Sequence, residues 1–526
     1  MAKLIIWQNG TSWEAEFTAP AILDHVLEQK DIRIGHPCGG RGTCGKCKVT
    51  LAGCVSEPNP MEQRAGVRLS CQAVLLGDAQ VWLSVDRAME QIEVSGSEKA
   101  GRIDRLHPME GRLGAAIDIG TTTLALKLYD LKSGNCVGQS SMENPQRAVA
   151  ADVMGRIQAA IEGGGELLQR QILKALKTLL DFACGDSRSL PGQSDESGWN
   201  LRGQPDESGW SLPGQMDESR KDIPEEVDAM AVVGNTTMLY LLTGKHPESL
   251  ARAPFLADDL FDRMDTILGR ETYLPPCMNA FVGADITAAV LTSGMCEKEE
   301  IALLCDIGTN GELALWKDRT LYVSSTAAGP AFEGAGISCG CGSIRGAVDK
   351  VWVEDGQIRV HTIGGAEPIG VCGSGLLDAI ASYLELGEID ETGAMEEDEL
   401  VLGGNVAILP KDVRAVQLAK GAIAAGIETM FTEAGIKADD VKKLYIAGGF
   451  GSHLNVESAV RIGLIPEELK GRVEILGNAA LAGAVRMLLD QSSLETVRQI
   501  AKHSVHVNLG GNKVFNEWFV EKMMFE

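Results

Sequence analysis

Three cysteines crowd the stretch "CGGRGTCGKC" as Cys38, Cys44 and Cys47, and Cys71 follows alone in "RLSCQA". Thiolates are soft ligands, and zinc sites usually draw them from two short CxxC-like pairs. Here the spacing is C-x5-C-x2-C with one remote partner. That asymmetry suits a two-iron, two-sulfur cluster, wrapped by one loop and closed by a later thiolate. The glycines between the cysteines fit a chain that must bend tightly and point backbone N–H groups at sulfur. Zinc is the alternative metal, and Cys54 in "AGCVSE" is the rival to Cys71 as fourth ligand.

A second constellation begins with "AIDIGTTT", where Asp118 ends an apolar run and Gly120 opens a turn carrying Thr121, Thr122 and Thr123. Threonine hydroxyls beside turn N–H groups make an anion-binding concavity, and a carboxylate at its edge can hold magnesium through water. One such turn is a weak signal. The chain repeats it as "CDIGTNGE", with Asp306, Gly308, Thr309, Asn310 and Glu312. Two copies in register can face each other across a cleft and clamp a polyphosphate–magnesium unit from both sides. A third element, "LYIAGGFGSHL", runs an apolar strand into Gly448 and Gly449, where bare backbone lets a nucleoside approach. "GNAALAGA" then opens a helix with small residues, suited to a close helix crossing. No Walker A pattern is present.

These groups must be positioned by 526 residues carrying a net charge of −25, with 44% hydrophobic and 23% charged residues. The first 86 residues are near neutral, so the acidity lies on the rest; it disfavours nucleic acid or an anionic membrane as the main partner. No apolar run reaches membrane-span length and the N-terminus is too short in apolar residues for a signal peptide, so a cytoplasmic location is expected, with thiols rather than disulfides. On the same ground the glycosylation pattern at Asn235 is set aside.

Residues 3–17 alternate around Asn-Gly, a hairpin signal, and helical spacing follows over 21–29. "VWLSVD" (81–86) reads as a closing strand and 87–112 as a linker. Residues 113–130 read as strand, turn and strand; helices are expected at 166–184, 374–386, 414–434 and 478–490. Three 11-residue units start at Leu190, Leu201 and Leu212; their Gly, Pro, Ser and Asp content points to a solvated insertion of about 189–222. Residues 301–318 echo 113–130, which predicts a duplicated α/β fold with lobes at 113–300 and 301–526.

Residues 1–86 resemble a ferredoxin domain, and 113–517 resemble the acetate and sugar kinase, Hsp70 and actin superfamily. The implied fold is α/β multidomain: a β-grasp ferredoxin-like domain followed by a duplicated, ribonuclease H-like ATPase domain. With "GNTTMLYLLTG", "GPAFEGAGISCGCGSIRGA" and "GVCGSGLLDAI", the chain resembles the reductive activators of corrinoid-dependent enzymes. Members of that family can carry a further middle domain, for which the connector 87–112 is short.

The resemblance implies one-electron reduction of a corrinoid protein from cobalt(II) to cobalt(I), driven by ATP, in the service of a methyltransferase system. It implies a [2Fe-2S] cluster on Cys38, Cys44, Cys47 and Cys71, and Mg2+ or the attacking water at Asp118 and Asp306, with Glu312 near the phosphates. It assigns phosphate and nucleoside contacts to Gly120, Thr121, Thr122, Thr123, Gly308, Thr309, Asn310, Gly448 and Gly449. A low-potential electron donor is required; whether a homodimer forms is open. No histidine follows an aspartate in the pattern Asp-x-His-x-x-Gly, so the corrinoid is expected on the partner. The alternatives are an ATPase activator of a radical dehydratase and a redox-sensing Hsp70-like scaffold. Cys339 and Cys341 read as small residues of a tight loop rather than a second metal site.

Overall fold

The structure is a computed structural model describing residues 2–8, 11–28, 32, 34, 47–59, 62, 68–83, 106–187 and 227–525. The strands Ala2–Gln8 and Thr11–Phe17 form the expected hairpin, with Ala2 opposite Phe17 and Gln8 opposite Thr11. Its alternation buries Leu4, Ile6, Ala15 and Phe17 on one face, beneath Leu23, Val26 and Leu27 of the helix Leu23–Glu28. The strand Val74–Trp82 runs parallel to the first strand and antiparallel to Lys48–Val55, giving the mixed sheet of a β-grasp domain with the helix Leu23–Glu28 packed on it.

Three local expectations change. The helix starts two residues late because Ala21 and Ile22 pair with Leu75 and Val74. The last strand begins at Val74 and ends at Trp82, rather than spanning 81–86. Residues 106–112 are no linker: His107 and Met109 donate their N–H groups to the carbonyls of Leu489 and Leu488, and Met109 is buried. The rest of the linker, and the 11-residue repeats, lie outside the described residues.

The duplication is explicit in the two large sheets. In the first, Leu113–Ile119 is antiparallel to Thr123–Asp130, which is antiparallel to Cys136–Glu143, while Val227–Gly234 lies parallel on its other side. In the second, Ala302–Ile307, Gly311–Lys317 and Thr320–Thr326 repeat that meander, with Lys443–Ala447 as the parallel neighbour. Within Ala302–Ile307, Ala302 and Leu304 face one core and Leu303, Cys305 and Ile307 the other. A strand buried on both faces reads as a continuous apolar run, which is how it appears in the sequence.

Helices form at Gly165–Ser187, Gly373–Leu386, Pro410–Ala434 and Ala479–Leu489, each within a few residues of expectation. The helices Ala479–Leu489 and Ser492–Lys502 return to complete the first lobe's core with Met487, Leu488, Val497 and Ile500, so that core draws on both halves of the chain. Where Ala479–Leu489 crosses Ala284–Ser293, a Cβ on Gly483 would lie 2.3 Å from the Ala288 carbonyl oxygen. Gly483→Val therefore forces the two helices apart; a loss of ~1–3 kcal/mol is expected, read as a fall in thermal midpoint of about 1 °C for each kcal/mol. An unchanged midpoint would mean that the crossing is not closely packed. Among the described residues no helix is long and apolar enough to cross a membrane.

Candidate functional site

Cys38 and Cys44 lie outside the described residues. Cys47 and Cys71 are both buried, with Sγ atoms 3.2 Å apart. That is well beyond the ~2.05 Å of a disulfide. Their approach follows from pairing: Lys48 lies opposite Leu69, which brings the residue before one strand to the turn after the other. The Ser70 N–H donates to the Cys47 carbonyl at 2.8 Å, and the Ser70 hydroxyl to Asp24 Oδ1 at 3.1 Å. Glu62 clasps the same turn, accepting from the Leu69 N–H at 2.9 Å and from Arg68 Nε at 3.1 Å. Burial alone would raise its pKa, but the N–H groups of Leu69 and Asn59 and the Arg68 guanidinium together hold it below the usual carboxylate range. Two buried thiols converging on one point fit ligation of a cluster. Cys54 is exposed on the strand Lys48–Val55 and lies against Gly77. At ~3.3 Å per residue, seven residues of strand separate it from Cys47 by roughly 23 Å.

The two Asp-Ile-Gly-Thr turns meet. Thr122 Oγ1 and Thr309 Oγ1 are 3.4 Å apart, and each donates to Glu333 Oε2, at 2.7 and 2.9 Å. Each turn closes on itself, the Gly120 N–H donating to the Thr123 carbonyl and the Gly308 N–H to the Asn310 carbonyl. At Gly120 a Cβ would strike the Thr123 carbonyl oxygen at 2.6 Å, so the turn requires glycine. The first turn is braced from behind. Asn144 Nδ2 donates to the Gly120 carbonyl at 2.8 Å, and Asn235 Nδ2 to Thr121 Oγ1 at 3.1 Å. The fully buried Arg156 donates through Nη2 to the Thr121 carbonyl at 2.5 Å.

Carboxylates line the same cleft. Asp306 pairs across the sheet with Glu312 on one side and Ala447 on the other, and a Cβ on Gly448 would lie 2.6 Å from its Oδ1. Asp118 accepts from Asn478 Nδ2 at 3.0 Å, and the Asn478 side chain also caps the helix Ala479–Leu489. Burial, then the charge of Asp285, pushes Asp118 up to about 7. Burial, then the charges of Asp285, Asp118 and Glu333, does the same to Asp306. Asp285, at the start of the helix Ala284–Ser293, is raised by burial to about 6. Glu312 is buried beside Asp285 and Asp306 and is raised well above its ordinary value. Four buried acids this close cannot all ionise together without a compensating positive charge. Among the described residues no three of them are arranged to hold a metal directly. At Gly449 no protein atom lies within 4 Å of an added Cβ, so the backbone faces open space.

Asp118, Gly120, Thr121, Thr122 and Thr123 thus share one cleft with Asp306, Gly308, Thr309, Asn310, Glu312 and Gly448. Sequence reading missed Asp285, Glu333 and Arg156. Asp285 stands outside any repeated motif in "FVGADITAAV", and Glu333 lies inside "GPAFEGAGISCGCGSIRGA", where nothing marks it as a site residue. Arg156 is marked by no motif; the fold places it in the helix Val153–Ala159 and buries it.

The sequence matches three family models: a 2Fe-2S iron-sulfur cluster binding domain over residues 7–76, the RACo middle region over 113–193 and 212–298, and the C-terminal domain of RACo, the ASKHA domain, over 300–526. The gap in the second match falls within the 11-residue repeats. The middle region is matched by the first lobe, so it is present despite the short connector. The chain is 34% identical over 451 residues to the corrinoid activation enzyme RamQ of Eubacterium limosum, covering 78% of this chain and 70% of the relative. It is 26% identical over 456 residues to a Methanosarcina barkeri [Co(II) methylated amine-specific corrinoid protein] reductase, covering 78% and 77%. A solved reductive activator for a corrinoid, iron-sulfur protein superposes with a TM-score of 0.69 at 26% identity, over 100% of this chain and 98% of that one. A two-iron ferredoxin domain joined to an actin- and sugar-kinase-like ATPase places the chain in the RACo family, the ATP-dependent reductive activators of corrinoid proteins.

Proposed function

We propose that the corrinoid substrate is carried by the partner protein of a methyltransferase system, which this chain returns from cobalt(II) to cobalt(I) with magnesium and ATP bound in the cleft. The observation that carries the nucleotide half is the meeting of Thr122 and Thr309 from two lobes over a nest of buried acids. Cys47 and Cys71, with Cys38 and Cys44, hold the cluster. When bound, that cluster supplies one electron at a time from a class with potentials near −400 mV. Each ~59 mV uphill costs a factor of ten, so a gap of ~100–200 mV costs roughly 2–5 kcal/mol. Binding energy that differs between the two lobe arrangements is enough to cover it.

The residues divide the work by chemistry. Thr121, Thr122, Thr123 and Thr309 donate hydroxyls to phosphate oxygens, with Gly120, Gly308 and Asn310 shaping the turns. Gly448 and Gly449 leave room for the nucleoside. Asp118, Asp306 and Glu312 accept from water molecules around Mg2+, and Asp306, next to Thr309, orients the water that attacks the terminal phosphate.

The pH dependence has a definite sign. Asp118 and Asp306 at about 7 and Asp285 at about 6 lie above the 3.8 of an unfolded aspartate. Their contribution to the stability of the empty protein is therefore fully present below ~4 and is lost as pH rises through 6–7. A divalent cation favours the ionised forms, so Mg·ATP should displace protons and raise the thermal midpoint more at pH 8 than at pH 6. Calorimetry in buffers of different ionisation enthalpy reads the proton release. Equal binding of ATP with and without Mg2+, and no proton release near pH 6.5, would sink the assignment of these acids.

A further inference from the structure

Glu333 is held jointly by both phosphate turns through a single atom, Oε2. Two hydroxyls from opposite lobes, each with one proton to give, both point at it. That is the coordination the turns would offer a phosphate oxygen. Gly448 lies against Asp306; with the proposed nucleoside there, a phosphate chain laid toward the turn tips ends between Thr122 and Thr309.

The side chain is delivered there by a rigid turn. Pro330–Glu333 is a single helical turn between Gly329 and Gly334, at φ of 80° and 72°. A left-handed φ at both ends lets the chain enter and leave within four residues. Phe332, next to Glu333, stacks on Phe450 with centroids 4.9 Å apart and planes 19° from parallel. Phe450 lies between Gly449 and Gly451 in the proposed nucleoside segment. Gly373 closes on the other side, where a Cβ would lie 1.8 Å from the Phe332 carbonyl oxygen. The turn that carries Glu333 is thus packed against the nucleoside end while its carboxylate reaches the phosphate end.

We propose that Glu333 stands in for the terminal phosphate in the nucleotide-free protein, so that ATP must displace it and ADP need not, which makes it the residue through which the site distinguishes the two. This rests on the nucleotide site proposed above. Two anions cannot share the same pair of hydroxyls: the carboxylate either leaves or repels the incoming phosphate. A diphosphate ends one phosphate short and leaves the Thr122–Glu333–Thr309 bridge in place. Only a triphosphate then replaces Glu333 between Thr122 and Thr309, which links the phosphate count to the group that bridges the two lobes.

The test is equilibrium binding of Mg·ATP and Mg·ADP to the full chain and to Glu333→Gln, which keeps the size of the side chain and removes its charge. ATP should tighten by ~10-fold, the equivalent of one charge-assisted hydrogen bond, while ADP stays within about twofold. Glu333→Asp keeps the charge but withdraws it by one carbon, and should give a smaller shift in the same direction. Weaker ATP binding in Glu333→Gln would overturn the proposal and make Glu333 a ligand of the nucleotide or its cation. Equal shifts for ATP and ADP would overturn it in favour of a purely structural role. If the unsubstituted chain binds neither nucleotide, the nucleotide site itself fails, and the inference with it.

Discussion

Asp306→Asn is expected to lower ATP-driven cobalt reduction by ~10²–10³-fold while leaving the iron-sulfur spectrum and its chemical reduction unchanged. The size is that of removing one preorganised electrostatic group from a desolvated site. Asp306 occupies the junction of three things the reaction needs. It is paired with Glu312 across the hairpin and lies beside Gly448 of the nucleoside segment. Its turn carries Thr309, which reaches the opposite lobe. The substitution also has an effect opposite to that of ordinary damage. Burial and the charges of Asp285, Asp118 and Glu333 make ionised Asp306 costly in the empty protein. The neutral amide should therefore raise the thermal midpoint at pH 8, by about 1 °C for each kcal/mol in a chain of this size. Lost activity with a raised midpoint identifies a functional carboxylate; lost activity with a lowered midpoint would identify a structural one.

Cys71→Ser is expected to remove the two-iron cluster's visible absorption and, with it, all electron transfer, whereas Mg·ATP binding should be unchanged. Cys71 is the described partner of Cys47, 3.2 Å away in a turn fixed by Ser70 and Glu62. Serine keeps the volume but supplies a hard, protonated oxygen in place of a thiolate. Cys54→Ser is the control: exposed on its strand and far from Cys47, it should leave absorption and activity in place. Loss of the cluster in Cys54→Ser with retention in Cys71→Ser would reverse the ligand assignment.

How much of this was legible depended on whether a residue's role is local. The paired Asp-Ile-Gly-Thr turns were readable because each is a short strand-turn unit whose chemistry sits in consecutive residues, and because the second copy confirmed the first. The hairpin at 3–17 was readable for the same reason: Asn-Gly and alternation act within a few residues. Asp285 was not readable. Its importance comes from two strands in different lobes converging on the start of its helix, a relation that no local pattern encodes. Arg156 and Glu333 failed likewise: one is buried behind a turn formed 35 residues earlier, the other spans a cleft. The linker was overextended because His107 and Met109 find their partners nearly 400 residues away, in Leu489 and Leu488. Helix ends were accurate where a left-handed glycine stops the helix, as Gly387 and Gly435 do.

The most direct measurement is an anaerobic one. The protein with its cluster reconstituted is mixed with a cobalt(II) corrinoid protein and a chemical reductant, and the cobalt(I) absorption band is followed with and without Mg·ATP. Cobalt(I) should form only with ATP and only while Cys71 is intact. ATP turnover with a reduced cluster, but with cobalt remaining divalent across several corrinoid partners, would contradict the account.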